Sequence, residues 1–150
     1  MSATVYNTIH LKGDFQHEEG IASAAFTPGN LVALLSTGKY AKHATEGGYA
    51  ELIFAAEDAL QGKAKDDAYA ANDIAMLAVE EPTNQVYAFI KAGQNVAIGD
   101  QLISAGDGTL KRAAGAATGV TVKQIIAVAM EALDLTATGA VATRLAVRLK

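Results

Sequence analysis

The chain writes one hairpin twice. Residues 27–44 read TPGNLVALLSTGKYAKHA, residues 97–114 read AIGDQLISAGDGTLKRAA, and the two superpose without a gap at a shift of 70 positions. Gly29 meets Gly99, Asn30 meets Asp100, Val32 meets Leu102, Gly38 meets Gly108, Tyr40 meets Leu110 and Lys42 meets Arg112. Each copy is a turn, a short apolar run, a second turn and a strand carrying a cation, the pattern of a β-hairpin. Strict identities are few, so the fixed shift and the shared order of segments carry the duplication.

Two further segments fall into the same order. Ile125–Leu133 (IIAVAMEAL) parallels Ile53–Leu60 at a shift of 74, which pairs Leu52 with Ile126, Ala55 with Ala129 and Glu57 with Glu131. The four extra residues fall in the loose stretch 113–119 (AAGAATG), where insertions are tolerated. Thr143–Lys150 alternates, with Leu145, Val147 and Leu149 on one face and Arg144, Ala146 and Arg148 on the other. At a shift of 70 those apolar residues pair with Ala75, Leu77 and Val79. Three segments in one order predict two similar halves, about 27–79 and 97–149.

Residues 1–26 find no counterpart in this alignment and read as an N-terminal arm packing on a neighbour or as an edge strand. Val5, Ile9 and Leu11 would form its strand, with His17-Glu18-Glu19-Gly20 as an interruption. Elsewhere Ile74–Val79 is a strand stopped by Glu80-Glu81-Pro82, because proline cannot continue a central ladder. Val86–Ile90 is the most β-prone segment. Ala50–Ala56 is strand or helix, since a short apolar run does not reveal its period. Leu60–Lys65 and the two aspartates after it read as a solvated loop. The expected fold is mainly β: a compact barrel or sandwich-like body, 27–150, built from two hairpin-containing halves, with at most short helices.

At 150 residues this is one domain or two small halves. Hydrophobic residues reach 51%, but many are alanines, and Trp is absent. Small side chains bury little area at roughly 25 cal/mol per Å², so the core should be modest and helped by contacts with other chains. A net charge of −4 argues against neutralising a nucleic-acid backbone. With no cysteine, disulfides, thiolate metal sites and cysteine nucleophiles are excluded. No run approaches the ~18 apolar residues that span a membrane. The first residues lack a basic, then apolar, leader pattern, which points to a protein made and used, or assembled, in a cytoplasm.

Chemical motifs fail one by one. His10, His17 and His43 have no second ligand at metal-binding spacing; His43, beside Lys42 in a strand, is expected to be exposed. Asp107 between two glycines lacks the further oxygen ligands of a calcium loop and fits a hairpin tip. Gly115–Gly119 lacks the P-loop lysine. Glu18/Glu19, Asp66/Asp67 and Glu80/Glu81 are neighbours that diverge on a strand and read as solvated. Ser23, Ser36 and Ser104 sit in no nucleophile elbow. No catalytic, cofactor-binding or metal-binding residue is assigned, and the chain is not expected to be an enzyme.

Several stretches resemble a known family. They are Phe26–Gly62 (FTPGNLVALLSTGKYAKHATEGGYAELIFAAEDALQG), Lys65–Ala71 (KDDAYAA), VYAFIKAGQNVAIGDQLISAGDGTLKRA and the closing VAMEALDLTATGAVATRLAVRLK. Together they are similar to capsid cement, decoration or head-stabilising proteins of tailed bacteriophages, over about residues 26–150. The resemblance implies a β-rich protein, assembled in the host cytoplasm, on the outside of a phage head. There it would bridge major capsid protein subunits against internal DNA pressure, with no nucleic-acid or membrane partner. Self-association is expected, as a trimer or a dimer. Tyr6, Phe15, Phe26, Tyr49 and Tyr69 are candidate contact anchors, since aromatics are enriched at interface hot spots, or else core residues. The alternative is a carbohydrate- or ligand-binding β-module of a head fibre or adhesin, against which the absence of Trp for sugar stacking speaks.

Overall fold

The computed structural model describes residues 3–150; residues 1 and 2 of the expected N-terminal arm lie outside it. Thirteen short strands make up nearly all the regular structure. In the N-terminal half they are β1 (His10–Lys12), β2 (Gln16–Ile21), β3 (Val32–Leu34), β4 (Tyr40–Lys42), β5 (Ile53–Ala55) and β6 (Ile74–Val79). In the C-terminal half they are β7 (Gln85–Ile90), β8 (Asn95–Val96), β9 (Gln101–Ser104), β10 (Leu110–Arg112), β11 (Ala127–Ala129), β12 (Leu133–Asp134) and β13 (Thr143–Leu149). Two single-turn 3-10 helices, Ala59–Gln61 and Ala113–Gly115, sit in loops. The expected mainly β class is what the structure shows, with a closed five-stranded barrel as its largest unit.

That barrel runs β7-β10-β9-β11-β13 and closes where β13 pairs with β7. The N-terminal half follows the same circuit. β2 pairs with β6 and β6 with β5. A bridge from Leu31 to Phe54 leads to the β3–β4 hairpin, and a parallel bridge from Ala22 to Tyr40 returns to the end of β2. The equivalent parallel contact in the second barrel joins Leu110 to Ile90.

Register confirms the equivalence pair by pair. Val32 faces Lys42 as Leu102 faces Arg112, and Leu34 faces Tyr40 as Ser104 faces Leu110. Ile53 faces Val79 as Ala127 faces Leu149, and Ala55 faces Leu77 as Ala129 faces Val147. The turn bonds repeat too. The Gly29 N–H donates to Ala55 O and the Gly99 N–H to Ala129 O, at 2.8 and 2.9 Å. The Asn30 and Asp100 side chains accept the N–H groups of Thr27 and Ala97, both at 2.9 Å.

The N-terminal segment corrects the sequence reading. His17–Gly20, expected to interrupt a strand within a segment lacking a counterpart, lies in strand β2. Its pairing of Glu18 with Leu77 and Gly20 with Ala75 matches that of Val86 with Val147 and Ala88 with Leu145, at a shift of 68. The polar run was misleading because β2 leaves most of its side chains exposed. Its inward face has room only for Gly20, where an added Cβ would lie 2.5 Å from the Tyr40 ring. Ala50–Ala56, ambiguous by period, resolves as strand β5. The solvated loop holds the short turn Ala59–Gln61.

Each half has its own core. Ala22, Phe26, Val32, Tyr40, Ile53, Ala55, Tyr69, Ala75 and Leu77 pack in the first barrel. In the second, Val86, Ala88, Ile90, Leu102, Leu110, Leu145, Val147 and Leu149 pack together with Ile9, Leu31 and Phe54 from the first half. Because Leu31 and Phe54 lie in both the circuit of one barrel and the core of the other, the two halves are one packed body.

Candidate interaction surface

The barrels meet through two elements, each placed by the hairpin geometry. The turn 27–30 of the first lies on the outside of β7 and β13: the Phe89 N–H donates to Gly29 O at 3.1 Å and the Arg144 Nε to Pro28 O at 2.9 Å. The tip of the β9–β10 hairpin lies on the first barrel: the Leu31 N–H donates to Gly108 O at 2.8 Å, and the Gly108 N–H to His43 O at 3.2 Å. His43, expected to be exposed, is buried here, because its ring contacts Ser104 Oγ at 2.6 Å and Tyr49 O at 2.8 Å. A carbonyl only accepts, so the Nε2 carries a proton, and in the neutral ring the Ser104 hydroxyl donates to Nδ1. This is the geometry of a nucleophile and its base, but Ser104 is fully buried, so the bond ties the two barrels together.

Arg144 completes the junction. Its guanidinium reaches Asp66 Oδ1 at 2.8 Å and the Lys65 carbonyl, and stands 4.4 Å from the Phe89 ring centre. The Arg144 hydrogen bond, with a smaller one from Lys65, holds the Asp66 carboxyl below the usual carboxylate range.

A groove of about 540 Å³ opens on the first barrel, between the N-terminal segment and β6. Phe15 forms its wall, stacked on His10 at 3.8 Å and edge-on to His17 at 4.7 Å. Leu60 and Met76 line the rest. Beneath it lies Glu80, expected to be solvated but buried, which meets His10 Nδ1 at 2.8 Å and accepts from Asn84 Nδ2 at 2.8 Å. No sequence pattern announced this contact, because its partners are 70 and 4 residues away.

The five candidate anchors separate. Phe26 and Tyr69 are buried, packed edge-to-face at 5.7 Å, with the Tyr69 hydroxyl donating to Ala56 O; neither offers a ring to a partner. Tyr6 is half-buried, edge-on to Tyr87, and donates to Glu131 Oε1 at 3.1 Å; burial, then Glu131, raises its phenol above the ordinary value. Glu57 and Glu131, matched in the repeat, both hold the N-terminal segment: Glu57 accepts the Ile9 N–H and Glu131 the Thr4 N–H. Phe15 is partly exposed and Tyr49 is 74% exposed, with Lys123 Nζ 5.9 Å from its ring. Among the described residues, no three His, Asp or Glu side chains converge as a metal would require.

This surface belongs to a tandem pair of small barrels with one shared topology. The fold is similar to that in the crystal structure of the N base of head fibre gp8.5 from bacteriophage phi29, with a TM-score of 0.57 over 91% of this chain and 95% of that one. The two are 12% identical, so the likeness is one of fold. No family model and no curated protein sequence matches the chain.

Proposed function

We propose that this protein is a structural component of a phage virion that binds the outer surface of the head and cements neighbouring major capsid protein subunits. The observation that carries the reading is the fold likeness to the base of a phage head fibre along nearly the whole chain. The surface is compatible: a rigid double barrel exposes Tyr49, Leu60 and the Phe15 groove, apolar features suited to docking. A neighbour described as a fibre base favours docking on a head over sugar recognition. The protein acts in this reading as a self-associated unit, a trimer first and a dimer second.

The test is binding to empty, expanded heads of the matching phage, read by co-sedimentation and by the temperature at which heads rupture. Saturable binding with a raised rupture temperature supports cementing. Absence of binding at micromolar protein removes the capsid reading, and specific hits on a glycan array would put the sugar-binding alternative in its place.

A further inference from the structure

Duplication gives the chain both halves of a contact that it uses only once. Inside the molecule, the 27–30 turn of the first barrel docks on β7 and β13 of the second, and the second barrel's hairpin tip docks back on the first. The second barrel carries the same turn at 97–100, and the first carries the same outer strands, β2 and β6, and the same tip at 35–39. Those copies face outward.

The unused copies are apolar and open. Pro28 is buried under Arg144, whereas its counterpart Ile98 is 71% exposed and Ile74, the counterpart of Arg144, is 64% exposed. Ile21, the counterpart of Phe89, is 43% exposed. Ser104 and Ala105 are buried at the tip that docks, while their counterparts Leu34 and Leu35 are exposed and larger. Among the described residues, five of the ten large exposed apolar side chains thus stand at positions matching the internal junction.

The backbone repeats the pattern. The Ala22 N–H bonds to Asp73 O on the β6 side, so the alternating Ile21 N–H points away from β6. It is the counterpart of the Phe89 N–H, and it meets no acceptor among the described residues. Gly99 O, the counterpart of the acceptor Gly29 O, receives no donor among them. Gly29 is pressed against Tyr87 O and Phe89, whereas the matching space around Gly99 is empty.

We propose that the barrel–barrel contact within the chain is repeated between chains. The 97–100 turn of one copy docks on β2 and β6 of the next, seating Ile98 against Ile21 and Ile74 with the Ile21 N–H on Gly99 O. The 35–39 tip of that second copy lies on the Gln101–Ala113 edge of the first. Both contacts join the same two chains, so the interface is heterologous and head-to-tail. This specifies the self-association proposed above and is independent of the capsid.

The cysteine-free chain allows a direct test. Ile21→Cys and Ile98→Cys proteins are prepared separately, checked for native circular dichroism, and oxidised alone and mixed. The expected result is a disulfide-linked dimer in the mixture at least tenfold above either protein alone. Homodimers of Ile21→Cys or of Ile98→Cys in excess of the mixed species overturn the proposal, because they require a face-to-face contact. So does the absence of any cross-link at high protein concentration. As a second measurement, Leu34→Glu and Ile74→Glu should each shift sedimentation toward monomer with the fold retained; unchanged association for both overturns the contact. Capsid binding by a protein that gives no mixed dimer would leave the virion reading in place and remove this one.

Discussion

Arg144 leaves the second barrel and donates from Nε to the carbonyl oxygen of Pro28 in the first, 116 residues away and at 2.9 Å. The same guanidinium bonds Asp66 and Lys65 O, so one side chain collects three acceptors of the N-terminal half. A planar fork of donors can do this where an ammonium cannot.

Removing that fork leaves the carbonyl of the buried Pro28 unpaired and releases the bonds to Asp66 and Lys65. Arg144→Ala should destabilise the protein by about 1.5–3 kcal/mol, the range for hydrogen bonds to charged groups. For a chain of this size that lowers the melting temperature by about 5–10 °C. Arg144→Lys should retain less than half of the lost stability. Calorimetry of the two variants checks the ordering, and a lysine variant as stable as the parent would show that charge alone suffices.

The pH dependence follows from Asp66. Its carboxyl titrates lower in the folded protein than in the unfolded chain, because Arg144 and then Lys65 bond the charged form. Its contribution is therefore fully present above the unfolded value of about 3.9 and is lost as pH falls through the folded value. Asp66 is largely exposed, so solvent keeps the contribution small. Urea midpoints of parent and Asp66→Asn should differ at pH 6 and approach each other as the pH falls below the unfolded carboxylate range; a constant gap would assign the effect to something other than ionisation.

Gly29 and Gly99 hold the same left-handed backbone, at φ 102° and 88°, but not the same surroundings. Alanine at either position meets the conformational cost of about 1–2 kcal/mol. At Gly29 the new Cβ also falls 3.0 Å from Arg144 Nε and 3.1 Å from Tyr87 O, whereas at Gly99 it enters open space. Gly29→Ala should therefore lower stability clearly more than Gly99→Ala in dilute, monomeric protein. Equal losses would mean that the junction yields without strain.

The hairpins were legible because turn glycines and apolar runs encode them locally. Ala55 and Ala129 could be matched across a change of shift because the same apolar spacing surrounds both. β2 was not legible: its wall needs only Gly20 inside, so no apolar alternation marks it. His43 and Glu80 were misread for a related reason. Each is buried by a partner that the sequence does not place nearby, Ser104 for one and His10 for the other. Junction residues such as Arg144 and Pro28 carry no local signal, since their meeting depends on how two finished barrels stack.

That stacking predicts how the molecule unfolds. Leu31 and Phe54 bridge each other in the first barrel's circuit and are fully buried in the second barrel's core. Neither barrel can open without exposing them, so the two halves should melt as one. Leu31→Ala, a large-to-small change at a site with no exposure, should cost about 2–5 kcal/mol. The calorimetric and van't Hoff enthalpies should stay equal in both parent and variant, as all-or-none unfolding requires. Two resolved transitions in Leu31→Ala would show that the barrels are coupled by this residue alone, and two in the parent would show that they are not coupled at all.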